Sequence, residues 1–103
     1  MHVEPRALAT RIARGTAPAV LDVRSSFEFR RGHLPGAVHV PFWQLFLPRR
    51  QLPFAPHTPV VVYCGHGPRA WLAGSMLRRR GWRDVSYLKG HMAGWRRARL
   101  PEQ

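Results

Sequence analysis

Four apolar residues in unbroken succession, Val60-Val61-Val62-Tyr63, run into Cys64, and five residues later the chain is helical. The run is β-branched or aromatic throughout and is the strongest strand signal in the sequence. Gly65-His66-Gly67-Pro68 interrupts it. From Arg69 to Arg80, Leu72, Ala73, Met76 and Leu77 then share one helical face. Gly81 terminates that helix, and the run Arg78-Arg79-Arg80 reads as a solvated end suited to the negative pole of the dipole.

The same alternation recurs on either side. Pro5 to Arg14 reads as a helix opened by proline and closed by Gly15. Ala19 to Val23 reads as a buried parallel strand, and Ser26 as the cap of a short helical turn through Arg30. Ala37 to Val40 is a brief extended piece and Phe42 to Leu47 another short helix. Pro48 to Pro59 holds four prolines in twelve positions, which predicts an irregular connection over the surface. Val85 to Leu88 is a final strand, followed by a helix from Met92 to Ala98. Strands alternating with helices imply parallel pairing through right-handed crossovers, so the predicted class is α/β. At 103 residues the chain is expected to be one domain, 1–103, by the usual prior of roughly 100–200 residues per domain.

Composition removes many functions. A single cysteine excludes an internal disulfide and every multi-cysteine metal site. Six histidines show no H-x-x-x-H or H-x-H spacing, so no metal is expected. Of five carboxylates only Asp22, Glu28 and Asp84 lie away from the termini, too few for a calcium loop and without an evident glycosidase pair. Neither a Walker-type phosphate loop nor a G-x-S-x-G elbow occurs. No apolar run approaches the ~18 residues of a membrane span, and Met1 to Arg6 has no signal-peptide pattern; the expectation is a cytoplasmic protein without a membrane partner. Lys plus Arg number 17 against 5 acids, a net charge of +12, which favours anionic partners. The arginines are nonetheless scattered, and no recognition helix or aromatic-studded sheet accompanies them, which argues against nucleic acid. What remains is chemistry built around Cys64, with no cofactor implied.

Cys64 stands at the end of the most apolar strand, where open α/β sheets place their ligands. Gly65 and Gly67 let the backbone turn so that successive amides face inward, and a helix start follows. Such a cradle favours thiolate over thiol and would lower the pKa from the free value of about 8.5. Arg69, closing the loop, adds a permanent charge for an oxyanion. Gly65, His66, Gly67, Pro68 and Arg69 are therefore the candidate substrate-binding residues, and Cys64 the candidate nucleophile. Asp22 and Arg24 could line the site from a strand end or form a structural ion pair. Glu28 and His33 read as turn-fixing contacts, and Trp71, Trp82 and Trp95 as core or rim packing.

Cys64-Gly-His-Gly-Pro-Arg-Ala70 resembles the C-x-x-G-x-R-[AS] loop of rhodanese-like sulfurtransferases. Leu21-Asp-Val-Arg24 with Phe27-Glu-Phe29, Gly32-His-Leu-Pro-Gly-Ala37, and Gly81-Trp82 through Tyr87-Leu-Lys-Gly90 to Ala93-Gly-Trp95 resemble further blocks of that family, in order. The resemblance implies a mostly parallel, about five-stranded sheet flanked by helices on both faces. It also implies transfer of a sulfane sulfur through a persulfide on Cys64. The partners it implies are a small sulfur-containing anion such as thiosulfate as donor, and cyanide, a thiol or a protein as acceptor. The loop from Cys64 to Arg69 has the sulfur-transfer length, one residue shorter than in phosphatases and arsenate reductases of that fold. Three positions depart from the pattern. Pro68 lacks an N–H, and His91 stands where a second glycine commonly follows Gly90. Cys64-Gly65 is similar to mercaptopyruvate-type loops, in which Arg69 would be threonine. Behind the active sulfurtransferase stand, in order, a persulfide carrier or recognition module for a protein, a phosphatase or arsenate reductase, and a nucleic-acid binder.

Overall fold

Along Val60–Tyr63 every residue is buried, and successive side chains divide between two cores, as the two-residue period of a strand requires. Val60, Val62 and the following Cys64 join one core; Val61 and Tyr63 join the other. In the computed structural model, which describes residues 1–103, this segment is β4, flanked in one sheet by β1 (His2–Val3), β2 (Ala19–Asp22), β3 (Val38–His39) and β5 (Val85–Leu88). The order is β1-β5-β4-β2-β3 and every pairing is parallel. The fold is therefore α/β with β4 at its centre.

Four helices cover the sheet: α1 (Pro5–Arg14), α2 (Ser26–Arg31), α3 (Pro68–Arg79) and α4 (His91–Arg97). On one face Ala70, Ala73 and Leu77 of α3, with Leu45 from a single 3-10 turn (Phe42–Phe46), pack on Leu21, Val62 and Tyr87. On the other face Leu8 of α1 and Met92 and Trp95 of α4 pack on Val20, Val61 and Leu88. Truncating one of these fully buried leucines, such as Leu77, to alanine would cost about 2–5 kcal/mol. No helix is long and apolar enough to cross a membrane.

The structure corrects two local expectations and adds detail to two others. First, Ser25, rather than Ser26, caps α2. Its hydroxyl accepts the Glu28 amide at 3.2 Å while Glu28 Oε1 accepts the Ser25 amide at 3.0 Å, a complete capping box. Second, β1 was not anticipated. Two residues form an edge strand because Tyr87 N–H donates to the Met1 carbonyl and Lys89 N–H to the Val3 carbonyl. Third, the arginine run is not simply solvated. Arg78 reaches back to the Tyr87 hydroxyl at 3.0 Å and the Val85 carbonyl at 3.2 Å, and Arg80 donates to the Arg50 carbonyl. Arg78 and Arg79 remain exposed and Arg80 is half-buried, so the helix end is solvated while two of its guanidinium groups reach back to neighbouring oxygens. Fourth, the proline-rich segment has no regular structure, yet Leu52 and Phe54 dock on the α3-side core and the Phe54 ring meets Trp82 edge-on.

Candidate active site

The chain leaves β2 toward β3 on one side and leaves β4 toward β5 on the other. Between β2 and β4 the connections diverge and open a crevice at the carboxyl ends of the strands. Cys64 follows β4 into that crevice, and Val23 to Glu28 enter it from β2. The sequence places both segments there because each strand ends where its apolar run does.

Cys64 is fully buried and its Sγ accepts the Gly67 N–H at 3.0 Å. Gly67 sits at φ +140, in the region that L side chains rarely adopt, and this turn aims its amide at the sulfur. Pro68 then occupies the first position of α3, where its missing N–H costs the helix nothing. Burial is the largest influence on the thiol and pushes its pKa up. Hydrogen bonding by His91 and by the amides of Ala70 and Gly67, with a smaller electrostatic contribution from His91, together outweigh it, drawing the pKa from 9.0 to about 7.

Arg69 lies beside this sulfur, and its guanidinium forks onto Glu28: Nη1 to Oε1 at 2.6 Å and Nη2 to Oε2 at 3.0 Å. Each side chain is about one-third exposed. The Glu28 carboxyl is held down to about 2, first by Arg69, against its own burial, with help from Ser25. Arg69 is held protonated by Glu28 and, further down, by Cys64. Glu28 therefore does two jobs, capping α2 and bonding the loop arginine, where the sequence suggested only a turn-fixing contact.

Asp22 and Arg24 are buried and bonded to each other, and Arg24 forms part of the wall of a pocket that it lines with Phe27, Glu28, Arg31 and Arg96. Arg24 Nε and Nη2 fork onto the Asp22 carboxylate at 2.8–3.1 Å. The Tyr63 hydroxyl donates to Asp22 at 2.6 Å and accepts the Leu34 amide at 3.1 Å, while Arg24 donates to the Gly32 carbonyl at 2.6 Å. Burial first, then Asp22, pushes the Tyr63 phenol well above its usual range. These contacts pin the β2 end to the Gly32–Leu34 turn. His33 bonds the Phe29 carbonyl at 2.8 Å and stacks on the Phe29 ring. His66 extends from the loop into an open polar cleft that it lines with His2, Glu4, Lys89, Gly90 and His91. No group of three or more His, Cys, Asp or Glu is placed to hold a metal ion.

His91 is a site residue that the sequence marks only as a departure from the glycine pattern. Its Nδ1 accepts the Cys64 amide at 3.3 Å, and the next two residues continue the contact. Met92 N–H donates to the Cys64 carbonyl at 2.9 Å and Ala93 N–H to the Gly65 carbonyl at 3.3 Å. The available signal was a histidine at a position where the pattern carries glycine.

An all-parallel sheet whose central strand leads into one acidified cysteine, with an arginine at the start of the next helix beside it, defines an α/β protein with a thiol site at the carboxyl ends of its strands. Residues 4–98 match the rhodanese-like domain, and the chain belongs to that family. It is 28% identical over 100 residues to a protein named sulfurtransferase from Allochromatium vinosum, covering 97% of this chain and 92% of that one. It is 33% identical over 89 residues to the adenylyltransferase and sulfurtransferase UBA4 of Meyerozyma guilliermondii, covering 80% of this chain but spanning only 21% of that protein. Among solved structures, the Alr3790 protein from Anabaena sp. superposes with a TM-score of 0.87 at 27% identity, covering 98% of this chain and 81% of that one.

Proposed function

We propose that this chain is a sulfurtransferase that carries a sulfane sulfur as a persulfide on Cys64. The observation that carries the reading is the Cys64 thiol drawn to about 7 while its Sγ accepts the Gly67 amide at the head of α3. In the first half-reaction the Cys64 thiolate attacks the outer sulfur of a small anionic donor such as thiosulfate. The donor's S–S bond breaks, sulfite leaves with the bonding pair, and Cys64–S–S⁻ remains. In the second, cyanide or an acceptor thiolate attacks the outer sulfur and the Cys64 thiolate departs. The amides that hold the first thiolate also face the charge on the persulfide, so they stabilise both resting states of the cycle. Arg69 provides a fork for the donor's oxyanion once Glu28 gives it up.

Intact-protein mass tests this. Incubation with thiosulfate should add one sulfur, cyanide should remove it, and Cys64→Ser should add none while keeping the fold. Thiocyanate formation by Cys64→Ser equal to that of the wild type would falsify the proposal. A second reading, a persulfide carrier serving a protein acceptor, is favoured by two observations. Pro68 withholds an amide from the loop, and Trp71 and Leu72 lie exposed on the first turns of α3 beside it. That reading expects sulfur loading with little turnover on cyanide, and it fails if the loaded protein passes sulfur to no cellular acceptor.

A further inference from the structure

The turn between β5 and α4 is built from two consecutive left-handed residues, Gly90 at φ +73 and His91 at φ +55. Only a few per cent of non-glycine residues adopt such a φ, and histidine is one of the types enriched there. At Gly90 no side chain fits, because a Cβ would lie 3.0 Å from Gly94 Cα. At His91 a side chain is present despite the conformation, and it is buried. A strained residue that the fold retains at a reactive centre points to a role there.

Geometry says what that role is. The first three residues of α4 grip the first two residues of the catalytic loop through three hydrogen bonds: Cys64 N–H to His91 Nδ1, Met92 N–H to the Cys64 carbonyl and Ala93 N–H to the Gly65 carbonyl. With both loop carbonyls engaged behind, the peptide planes stand with their amides toward the crevice. Because Nδ1 accepts, the neutral ring carries its proton on Nε2. That nitrogen faces the other end of the loop, where a Cβ on Gly67 would lie 3.4 Å from it. The imidazole thus spans the loop from the Cys64 amide to Gly67, the residue whose N–H holds Sγ.

We propose that His91 is the positioning residue of the Cys64 loop, its imidazole holding the loop in the form that presents an amide to the sulfur. The inference rests on Cys64 being the nucleophile of the sulfur-transfer reading, but its test needs no sulfur donor. The other ionisable groups around the sulfur are Arg69 on α3, Glu28 of α2 behind it, His66 in the loop, and the Asp22–Arg24 pair at the end of β2. His91 itself faces His2, Glu4, His66 and Lys89 across the polar cleft, and none of these groups is substituted in the variants.

The measurement is the rate of Cys64 alkylation by iodoacetamide from pH 5 to 9, on the wild type, His91→Gly and His91→Asn. Glycine and asparagine both tolerate the left-handed backbone. Only asparagine offers an oxygen to the Cys64 amide, so the pair separates the hydrogen bond from the strain. The midpoint is read rather than the absolute rate, since the midpoint does not depend on how deeply the thiol is covered. Wild type should show a midpoint of about 7. His91→Gly should raise it so that the rate at pH 6.5, as a fraction of its plateau, falls roughly three- to tenfold, as the loop no longer holds the Gly67 amide on the sulfur. His91→Asn should recover most of that loss, with thermal unfolding showing both variants folded. A glycine variant that matches the wild type, or an asparagine variant no better than glycine, overturns the proposal. Normal alkylation profiles with no sulfur loading from thiosulfate would instead count against the function alone.

Discussion

Two arginine–carboxylate forks lie within a few residues of each other at the carboxyl end of the sheet, and they differ in almost everything except their chemistry. Asp22–Arg24 is closed off from water, with side chains 0% and 3% exposed, and its spare valences go to Tyr63 and the Gly32 carbonyl. Glu28–Arg69 is about one-third exposed on both sides and touches only Ser25 and the catalytic loop. A buried pair cannot exchange partners without stranding a charge in a low-dielectric interior. A half-exposed pair can, because water or another anion takes the vacated place at small cost. The first fork therefore fixes where β2 ends, and the second holds an arginine in reserve beside Cys64.

Removing the charge from the buried fork gives the largest effect. Asp22→Asn keeps the shape but leaves the Arg24 guanidinium uncompensated, and should cost about 3–5 kcal/mol in urea unfolding. A loss below about 1 kcal/mol would mean that the pair is no more structural than its exposed neighbour.

Acid separates the reserve fork from the thiol next to it. Glu28 has its carboxyl pKa lowered from 4.5 to about 2, so the contribution of its pair is complete above 4.5 and is lost only as pH falls through about 2. The thiol is lowered from 9.0 to about 7, so thiolate, and the stability it contributes, is complete above 9 and disappears as pH falls through 7. Of these two groups only the thiol titrates between pH 7 and 5, and sulfur loading should drop toward about a hundredth of its plateau, roughly tenfold per unit below the midpoint. A plateau that extends down to pH 5 would show that the cysteine does not act as the thiolate held at this pKa.

Deleting the reserve cation comes next. Arg69→Ala should slow loading by thiosulfate about tenfold, the worth of one charge-assisted contact, while shifting stability by less than about 0.5 kcal/mol. If stability falls as far as in Asp22→Asn, the contrast between the two forks collapses.

How much of this was legible in the sequence depends on how local each signal is. The Cys64 loop could be read because its cysteine, glycines and arginine are consecutive, and the alternation around it gave the α/β class. The capping box of α2 was also readable, since Ser25 and Glu28 stand at the required spacing, but two adjacent serines hid which was the cap. The Asp22–Arg24 pair could be named without its environment, because Tyr63 and Gly32 reach it only through the fold. His91 lies 27 residues from Cys64 in the chain, and nothing local reports that α4 begins against the catalytic loop. The edge strand β1 has two residues, too short for any periodicity, and exists because β5 offers it a partner.

The smallest effect is the one that tests the reserve directly. Glu28→Gln retains the capping box, because glutamine reaches back to the Ser25 amide as glutamate does. It removes only the charge that competes with a donor anion for Arg69. The KM for thiosulfate should therefore fall about two- to fivefold, with the turnover number nearly constant and stability within about 0.5 kcal/mol of wild type. The arithmetic follows from the exposure of the pair: a salt bridge this wet contributes little to the fold, so little is recovered when it is removed. A rise in KM would instead mean that Glu28 orients Arg69 for the donor rather than withholding it. In that case the exposed fork is as much a fixed part of the structure as the buried one.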